Sequence, residues 1–312
     1  MYKLRWYQYL LIIVILILLL VQGGLLSSKP EEIAIEKPDI SLLQYQPIPV
    51  KIASESAQLV SEEQLLNSLS AKSIVIIDIK SGAILLEKEA HTATYPASTT
   101  KMMTAIVAKT SYPQDEVITV TKEAFTTGNI MGLRLGEKMT VKNLLAGLLI
   151  NSGNDAAFAL ANNHPLGYQG FVDQMNYKAQ QLHLDNTSFN NPSGLDQKNH
   201  QSTAFDLATL AKEVIKDDYF KELVATRSAR VSNVDETITH QLYNTNSLLG
   251  NVEGIKGVKT GTTDLAGEVL ISLVERNNHQ VLIVVMGSKG RYVDTKAIIN
   301  WIFENYKWLE AD

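Results

Sequence analysis

The chain reads as an α+β protein in which one antiparallel sheet is assembled from both ends of a domain and a helical middle packs on it. Three observations carry that reading. Ser73–Asp78 and Ala83–Glu87 are apolar or β-branched runs separated by Lys80-Ser-Gly82, a hairpin signal near the head of the domain. Gly257–Thr260, Glu268–Val274 and Gln280–Met286 repeat the pattern near its end, the last two joined through Glu275-Arg-Asn-Asn278. Between the two groups lie helical periodicities, and 312 residues with 45% apolar and 20% charged are enough to bury a core under them.

Taken in order, the N-terminus comes first. Lys3 and Arg5 precede an unbroken apolar run from Leu10 to Val21, with Trp6, Tyr7 and Tyr9 on the flank where interfacial aromatics sit. Residues 1–28 are thus an export signal. It is either cleaved after Gly23 or retained as a membrane anchor, since Leu4–Leu26 is about as long as a bilayer span. With the basic end inside, everything after it faces outward. From Lys29 the composition changes, and Pro30, Pro38, Pro47 and Pro49 interleaved with Glu31, Glu32, Glu36 and Asp39 predict an extended, solvated tether over 29–60. The folded domain, 61–312, opens at Ser61, where Ser-Glu-Glu-Gln has the form of a helix capping box.

After the first two strands, Ser98–Ala108 predicts a helix, with Met102, Met103, Ala105, Ile106 and Val107 set almost all round it, so it belongs inside the domain. Thr140–Ile150 follows with an apolar face of Leu144, Leu145, Leu148 and Leu149 and stops at Asn151-Ser-Gly-Asn154. A short helix starts at Asp155, and Phe171–Leu182 and Thr203–Ile215 are further helical patterns. Asp294–Tyr306 closes the chain as an amphipathic helix.

Composition also excludes chemistries. A net charge of -5 without a basic patch argues against nucleic acid as partner. The absence of cysteine removes disulfides, thiol catalysis and thiolate metal sites. Six scattered histidines, none in a His-Glu-x-x-His pair, point to no metal site.

What remains is hydroxyl and amine chemistry. Ser98 and Lys101, three apart, fall on one helical face. A serine hydroxyl is a feeble nucleophile until its proton is removed, and a lysine removes it only if its own pKa is lowered, as burial and a second cation both do. Ser-x-x-Lys occurs once in the chain, and alone an exposed helix start with a snorkelling lysine explains it. Ser152-Gly-Asn154 sits between two helical patterns, where a capping turn is the plain explanation. Lys259-Thr-Gly261, followed by Thr262-Thr263, lies at a strand edge, where a lysine also guards against aggregation.

In this order the three elements Ser-x-x-Lys, Ser-x-Asn and Lys-Thr-Gly form the signature of penicillin-binding proteins and β-lactamases, with Gly153 in place of the aspartate of Ser-Asp-Asn. From about Ser73 to Trp308 the chain resembles the low-molecular-mass penicillin-binding proteins that act as serine D-alanyl-D-alanine carboxypeptidases. The likeness extends to Tyr95-Pro-Ala-Ser-Thr-Thr-Lys101, Gly147–Ala156, Asn191-Pro-Ser-Gly-Leu195, His200-Gln-Ser-Thr-Ala204 and Gly257–Thr263, and the Ser-Gly-Asn form is the one this subfamily uses. The resemblance implies a β-lactamase/transpeptidase-like fold, a five-stranded antiparallel sheet flanked by helices with a helical subdomain. It implies that Ser98 attacks the carbonyl between the two terminal D-alanines of a peptidoglycan stem peptide, with Lys101 taking its proton. Ser152 would relay a proton to the departing D-alanine and Asn154 would hold the acylated peptide. Lys259 would depress the Lys101 pKa and, with Thr260, Gly261 and Thr262 of the same strand, bind the terminal carboxylate. The backbone N–H groups of Ser98 and Thr262 would form an oxyanion hole, and Arg291 is placed with that carboxylate, although an exposed arginine before a helix is also unremarkable. No cofactor is implied, and β-lactams are expected as covalent inhibitors.

Many relatives continue into a second, β-rich domain and an amphipathic membrane-binding helix, whereas this chain ends at Asp312, so its anchor is expected at the N-terminus. Three rival readings share the fold. A β-lactamase needs a glutamate in a Glu-x-x-Leu-Asn pattern downstream of the second motif, and here the pattern occurs only at Glu63–Asn67, upstream of the nucleophile. A DD-transpeptidase differs only in using an amine as acceptor. A non-catalytic wall-binding relative need not keep Ser98, Lys101, Ser152, Asn154 and Lys259 together.

Overall fold

The computed structural model describes residues 47–52 and 60–309. The apolar run Leu10–Val21 and most of the proline-rich stretch after Lys29 lie outside the described residues. Among the described residues no helix is long and apolar enough to cross a membrane. Strand β1 (Ile48–Lys51) falls in the stretch read as tether; it is extended, but it pairs antiparallel with a strand at the opposite end of the chain. Helix α1 (Glu62–Ser68) begins as expected, with Ser61 Oγ accepting from Gln64 N at 3.1 Å and Gln64 Oε1 accepting from Ser61 N at 2.9 Å. Strands β2 (Ser73–Asp78) and β3 (Ile84–Lys88) make the first hairpin.

The helical middle contains α2 (Lys101–Ser111), α3 (Val141–Leu149), α4 (Asn154–Asn162), α5 (Gly167–Gln181), α6 (Ala204–Lys216) and α7 (Asp218–Ala225). Two small ribbons decorate it, β4 (Val117–Thr119) with β5 (Lys138–Thr140), and β6 (Ser228–Ser232) with β7 (Thr239–Tyr243). The chain then returns through β8 (Ile255–Thr263), β9 (Gly267–Arg276) and β10 (His279–Ser288), helix α8 (Arg291–Asn305) and β11 (Tyr306–Leu309), the partner of β1.

The main sheet has the order β3-β2-β10-β9-β8, all antiparallel, so strands from the two ends of the domain meet at the β2/β10 pair. Side chains on a strand alternate between faces, and here both faces are covered. Ile74, Ile76, Leu270, Ile283 and Val285 pack with Leu65, Ile298, Ile299, Trp301 and Ile302 of α1 and α8. Val75, Ile77, Ile271, Leu273, Leu282 and Val284 face the opposite way, into the helical middle. Covering on both sides is why these strands read as continuous apolar runs and not as alternation.

Helix α2 is the axis of the middle. It packs against α3, α4, α5 and α6, and every residue from Lys101 to Ala108 is buried, which accounts for apolar residues round its whole circumference. The expected start differs in one respect: Ala97–Thr100 is a 3₁₀ turn, and the α-helix proper starts at Lys101. Strand β8 forms one edge of the sheet, and the 3₁₀ turn packs against it.

Ile283, fully buried at the centre of the sheet, is predicted to cost about 3 kcal/mol on truncation to alanine, whereas Ile84→Ala, at a position 47% exposed, should cost under about 0.5 kcal/mol. Urea unfolding of the two variants checks the contrast, and equal losses would contradict the two-sided core.

Candidate active site

The turn Ala97–Thr100 is held in an uncommon conformation. Ala97 has φ 49° and its Cβ is buried, a left-handed backbone that costs a non-glycine residue free energy. Surrounding bonds over-determine it. Thr99 Oγ1 donates to Pro96 O at 2.6 Å and Thr104 Oγ1 to Pro192 O at 2.6 Å. His200 Nδ1 accepts from Asn190 N at 3.0 Å, so Nε2 carries the ring proton and donates to Thr100 Oγ1 at 2.8 Å. Burial pushes the His200 pKa down to about 4, against the pull of Asp196, so this ring is a neutral strut. Two glycines let neighbouring backbone come close: a Cβ on Gly194 (φ 87°) would collide with the Ala97 carbonyl, and one on Gly261 would lie 2.9 Å from Ser98 N.

Ser98 is half-buried and faces a cleft of about 300 Å³ lined by Ser152, Asn154, Thr245, Thr260, Thr262 and Arg291, among others. One helical turn on, Lys101 is fully buried. Its Nζ lies 2.9 Å from Ser98 Oγ, 2.6 Å from Asn154 Oδ1 and 2.7 Å from Ser193 O. As an ammonium the group donates to all three. As a neutral amine it has two protons, which Asn154 and Ser193 accept, and one lone pair, which is left for the Ser98 proton. Burial lowers the Lys101 pKa well below that of a free lysine, and the Lys259 charge adds to this, while Asp155 opposes it.

Ser152 ends the stretch after α3 in a left-handed conformation, φ 59°, and is buried. Its Oγ accepts from Lys259 Nζ at 2.8 Å, and the same amine donates to Thr260 O at 3.2 Å. Burial first, and the Arg291 charge second, lower the Lys259 pKa to about 7. Asn154 opens α4; its Nδ2 donates to Thr127 O at 2.6 Å and its backbone N–H to Asn129 O at 2.7 Å. Thr260, Gly261 and Thr262 follow Lys259 along β8. Arg291 Nη1 donates to Thr262 Oγ1 at 2.6 Å and to Gly261 O at 2.7 Å, while its backbone N–H is held by Glu268 Oε2 at 2.8 Å. All nine residues singled out in the sequence therefore lie in or against one cleft, Arg291 included.

Other participants carried no legible role. Ser193 contributes only a carbonyl, placed by Asn191 Oδ1, which accepts from Ser193 N at 3.1 Å and Gly194 N at 2.8 Å. The Asn-Pro-Ser-Gly-Leu stretch was the available signal. Asp155 is buried and accepts from the N–H groups of Met131, Gly132 and Leu133 at 2.9 to 3.0 Å, shaping the loop that brings Thr127 and Asn129 to Asn154. Thr245 had no signal at all. No group of His, Cys, Asp or Glu able to hold a metal occurs among the described residues.

The architecture is that of the DD-transpeptidases and penicillin-binding proteins. A crystal structure of the Streptomyces K15 DD-transpeptidase superposes with a TM-score of 0.72 at 30% identity, covering 76% of this chain and 98% of that one. The chain belongs to the peptidase S11 family, described as D-alanyl-D-alanine carboxypeptidase, whose model matches residues 57–290. Among curated proteins it is 35% identical over 247 residues to the D-alanyl-D-alanine carboxypeptidase DacF of Bacillus subtilis, covering 76% of this chain and 63% of that protein. It is 34% identical over 262 residues to DacA of Haemophilus influenzae, covering 78% and 65%. The matches thus span a little under two thirds of those relatives' length.

The depressed Lys259 pKa has a consequence for stability. Between about 7 and the ordinary lysine value the unfolded chain holds a proton at this position that the folded chain lacks, so the native state gains stability as pH rises through that window, and the burial penalty is fully present below about pH 7. The stability difference between Lys259→Met and the wild type should therefore favour the variant most at pH 6 and shrink towards pH 10. Urea unfolding at several pH values measures it, and a pH-independent difference would refute the depressed pKa.

Proposed function

We propose that the protein is a serine D-Ala-D-Ala carboxypeptidase that removes the terminal D-alanine from peptidoglycan stem pentapeptides. One observation carries the reading: a fully buried Lys101 amine 2.9 Å from Ser98 Oγ, with its other two contacts on acceptors. Neutral Lys101 takes the Ser98 proton as Oγ attacks the carbonyl between the two D-alanines. The tetrahedral oxyanion is stabilised by the backbone N–H groups of Ser98 and Thr262. Collapse breaks the peptide bond, the proton that Lys101 took from Ser98 passes by way of Ser152 to the departing amine, and the remaining peptide stays esterified to Ser98 with Asn154 beside it. Water then releases the acyl group. Thr260, Thr262, Lys259 and Arg291 receive the terminal carboxylate, consistent with a cationic end of the cleft formed by Lys259 and Arg291.

β-Lactams, which present a strained amide and a carboxylate in the same relation, acylate Ser98 in this reading. None of the residues lining the cleft is an aspartate or glutamate, and Glu63 is exposed on α1. Among the described residues no carboxylate therefore lines the cleft to activate water against the penicilloyl ester, which favours slow release over β-lactamase turnover. The basic and apolar N-terminal segment supports a location outside the cytoplasm, on the outer face of the cell membrane through a retained anchor or free after cleavage.

Fluorescent penicillin should label the wild type and leave Ser98→Ala unlabelled, and a pentapeptide ending in D-Ala-D-Ala should lose one alanine by mass analysis. Lys101→Met should acylate about 10² to 10⁴ times more slowly, the range of a lost general base. Labelling of Ser98→Ala, or transfer of the acyl group to an amine in preference to water, would refute the assignment. In a separate measurement, steady hydrolysis of a chromogenic β-lactam should stay far below about ten turnovers per second, itself an ordinary enzyme rate.

A further inference from the structure

We propose that Thr245 is a positioning residue for the substrate's free carboxylate, acting through Thr260; this rests on the carboxylate reading of β8 given above. Thr245 lines the cleft beside Thr260, and their hydroxyl oxygens are 2.6 Å apart. Each hydroxyl has one proton, so only one of them donates within the pair. If Thr260 donates to Thr245, its proton points away from a ligand. If Thr245 donates to Thr260, the Thr260 proton is free for the ligand, and its bond is strengthened by the one it receives. A carboxylate only accepts, so its arrival selects the second arrangement.

The loop bearing Thr245 is pinned from several sides. Tyr292 Oη donates to Thr245 O at 2.8 Å. Asn244 Nδ2 donates to Thr226 O at 2.9 Å at the end of α7, and Asn244 Oδ1 accepts from Asn246 N at 2.9 Å. Asn246 Oδ1 in turn accepts from Leu248 N at 3.1 Å. The Tyr292 ring also lies 5.0 Å from the Arg291 guanidinium, so one tyrosine supports both Arg291 and the Thr245 backbone. Thr260 is buried, and its hydroxyl has Thr245 as its side-chain partner; without it the rotor loses its fixed direction.

The test compares acylation of Ser98 by a penicillin bearing its free carboxylate with acylation by the methyl ester of the same penicillin, followed by intact-protein mass spectrometry on the full chain. The acid-to-ester rate ratio should fall about tenfold in Thr245→Val, as expected when a hydrogen bond to a charged group weakens by about 1.4 kcal/mol, and Thr245→Ser should restore it. A merely structural role would slow acid and ester alike and leave the ratio unchanged, which overturns the proposal, as does failure of serine to restore it. If the wild type itself shows no preference for the acid, the carboxylate reading of β8 fails, and this inference with it.

Discussion

The proposed chemistry depends on a Lys101 amine that burial inside a protein wall makes readier to lose its proton. Burying an ammonium costs several kcal/mol even after relaxation, and the fold turns that cost into a lowered pKa. Helix α2, buried at every residue from Lys101 to Ala108, supplies the desolvation, and Lys259 from the edge of the sheet supplies a second positive charge. Asp155 pulls the other way, but its carboxylate already accepts from the N–H groups of Met131, Gly132, Leu133 and Ala156. Its charge is thus partly met by local dipoles, and it shapes a loop without neutralising the lysine's surroundings. The amine's remaining contacts, Asn154 Oδ1 and Ser193 O, are neutral acceptors, which satisfy N–H groups without favouring the ammonium as a carboxylate would.

A second constraint is the placement of Ser98 at the junction of two structural layers. The sheet presents β8 as an edge, the helical middle presents the start of α2, and the serine is held between them on a turn with Ala97 in left-handed backbone. Such a conformation persists only where surrounding structure imposes it. Here the close approach of Gly194 and Gly261, the neutral His200 strut and the Thr104 bond to Pro192 impose it. Ser152, also left-handed, is fixed from the opposite side by Lys259. The strain thus falls on Ser152 itself and on Ala97, the residue before Ser98, and the bonds that hold them come from elements far apart in the chain.

The legibility of the fold followed the strength of burial. Strands β2, β9 and β10 are covered on both faces and read as continuous apolar runs, and α2, α3 and α6 carry apolar residues over whole faces. The ribbons β4–β5 and β6–β7 did not announce themselves. Val117–Thr119 and Lys138–Thr140 are three residues each with a single buried side chain, and Ser228–Ser232 has none, so these three carry no periodicity; Thr239–Tyr243 does alternate, but over five residues with only His240 and Leu242 buried. Helix α7 leaves a faint pattern because only Phe220 and Val224 of its eight residues are buried. Strand β1 was hidden among prolines because its pairing partner, Tyr306–Leu309, lies at the other end of the chain.

The amino-acid sequence alone determined the chemistry we propose: Ser98 and Lys101 one helical turn apart, and the order in which Ser152, Asn154 and Lys259 follow, are properties of spacing, and a buried helix around a lysine already implies an amine that gives up its proton more readily than a free one. Only the tertiary structure decided which groups complete the site. The Ser193 carbonyl and the Asn129 carbonyl meet the site through backbone atoms that every residue possesses, and Thr245 meets Thr260 because β8 folds back beside its loop. Contacts of that kind leave no mark on residue type or periodicity, since they arise from packing between segments distant in the chain and not from any pattern within one.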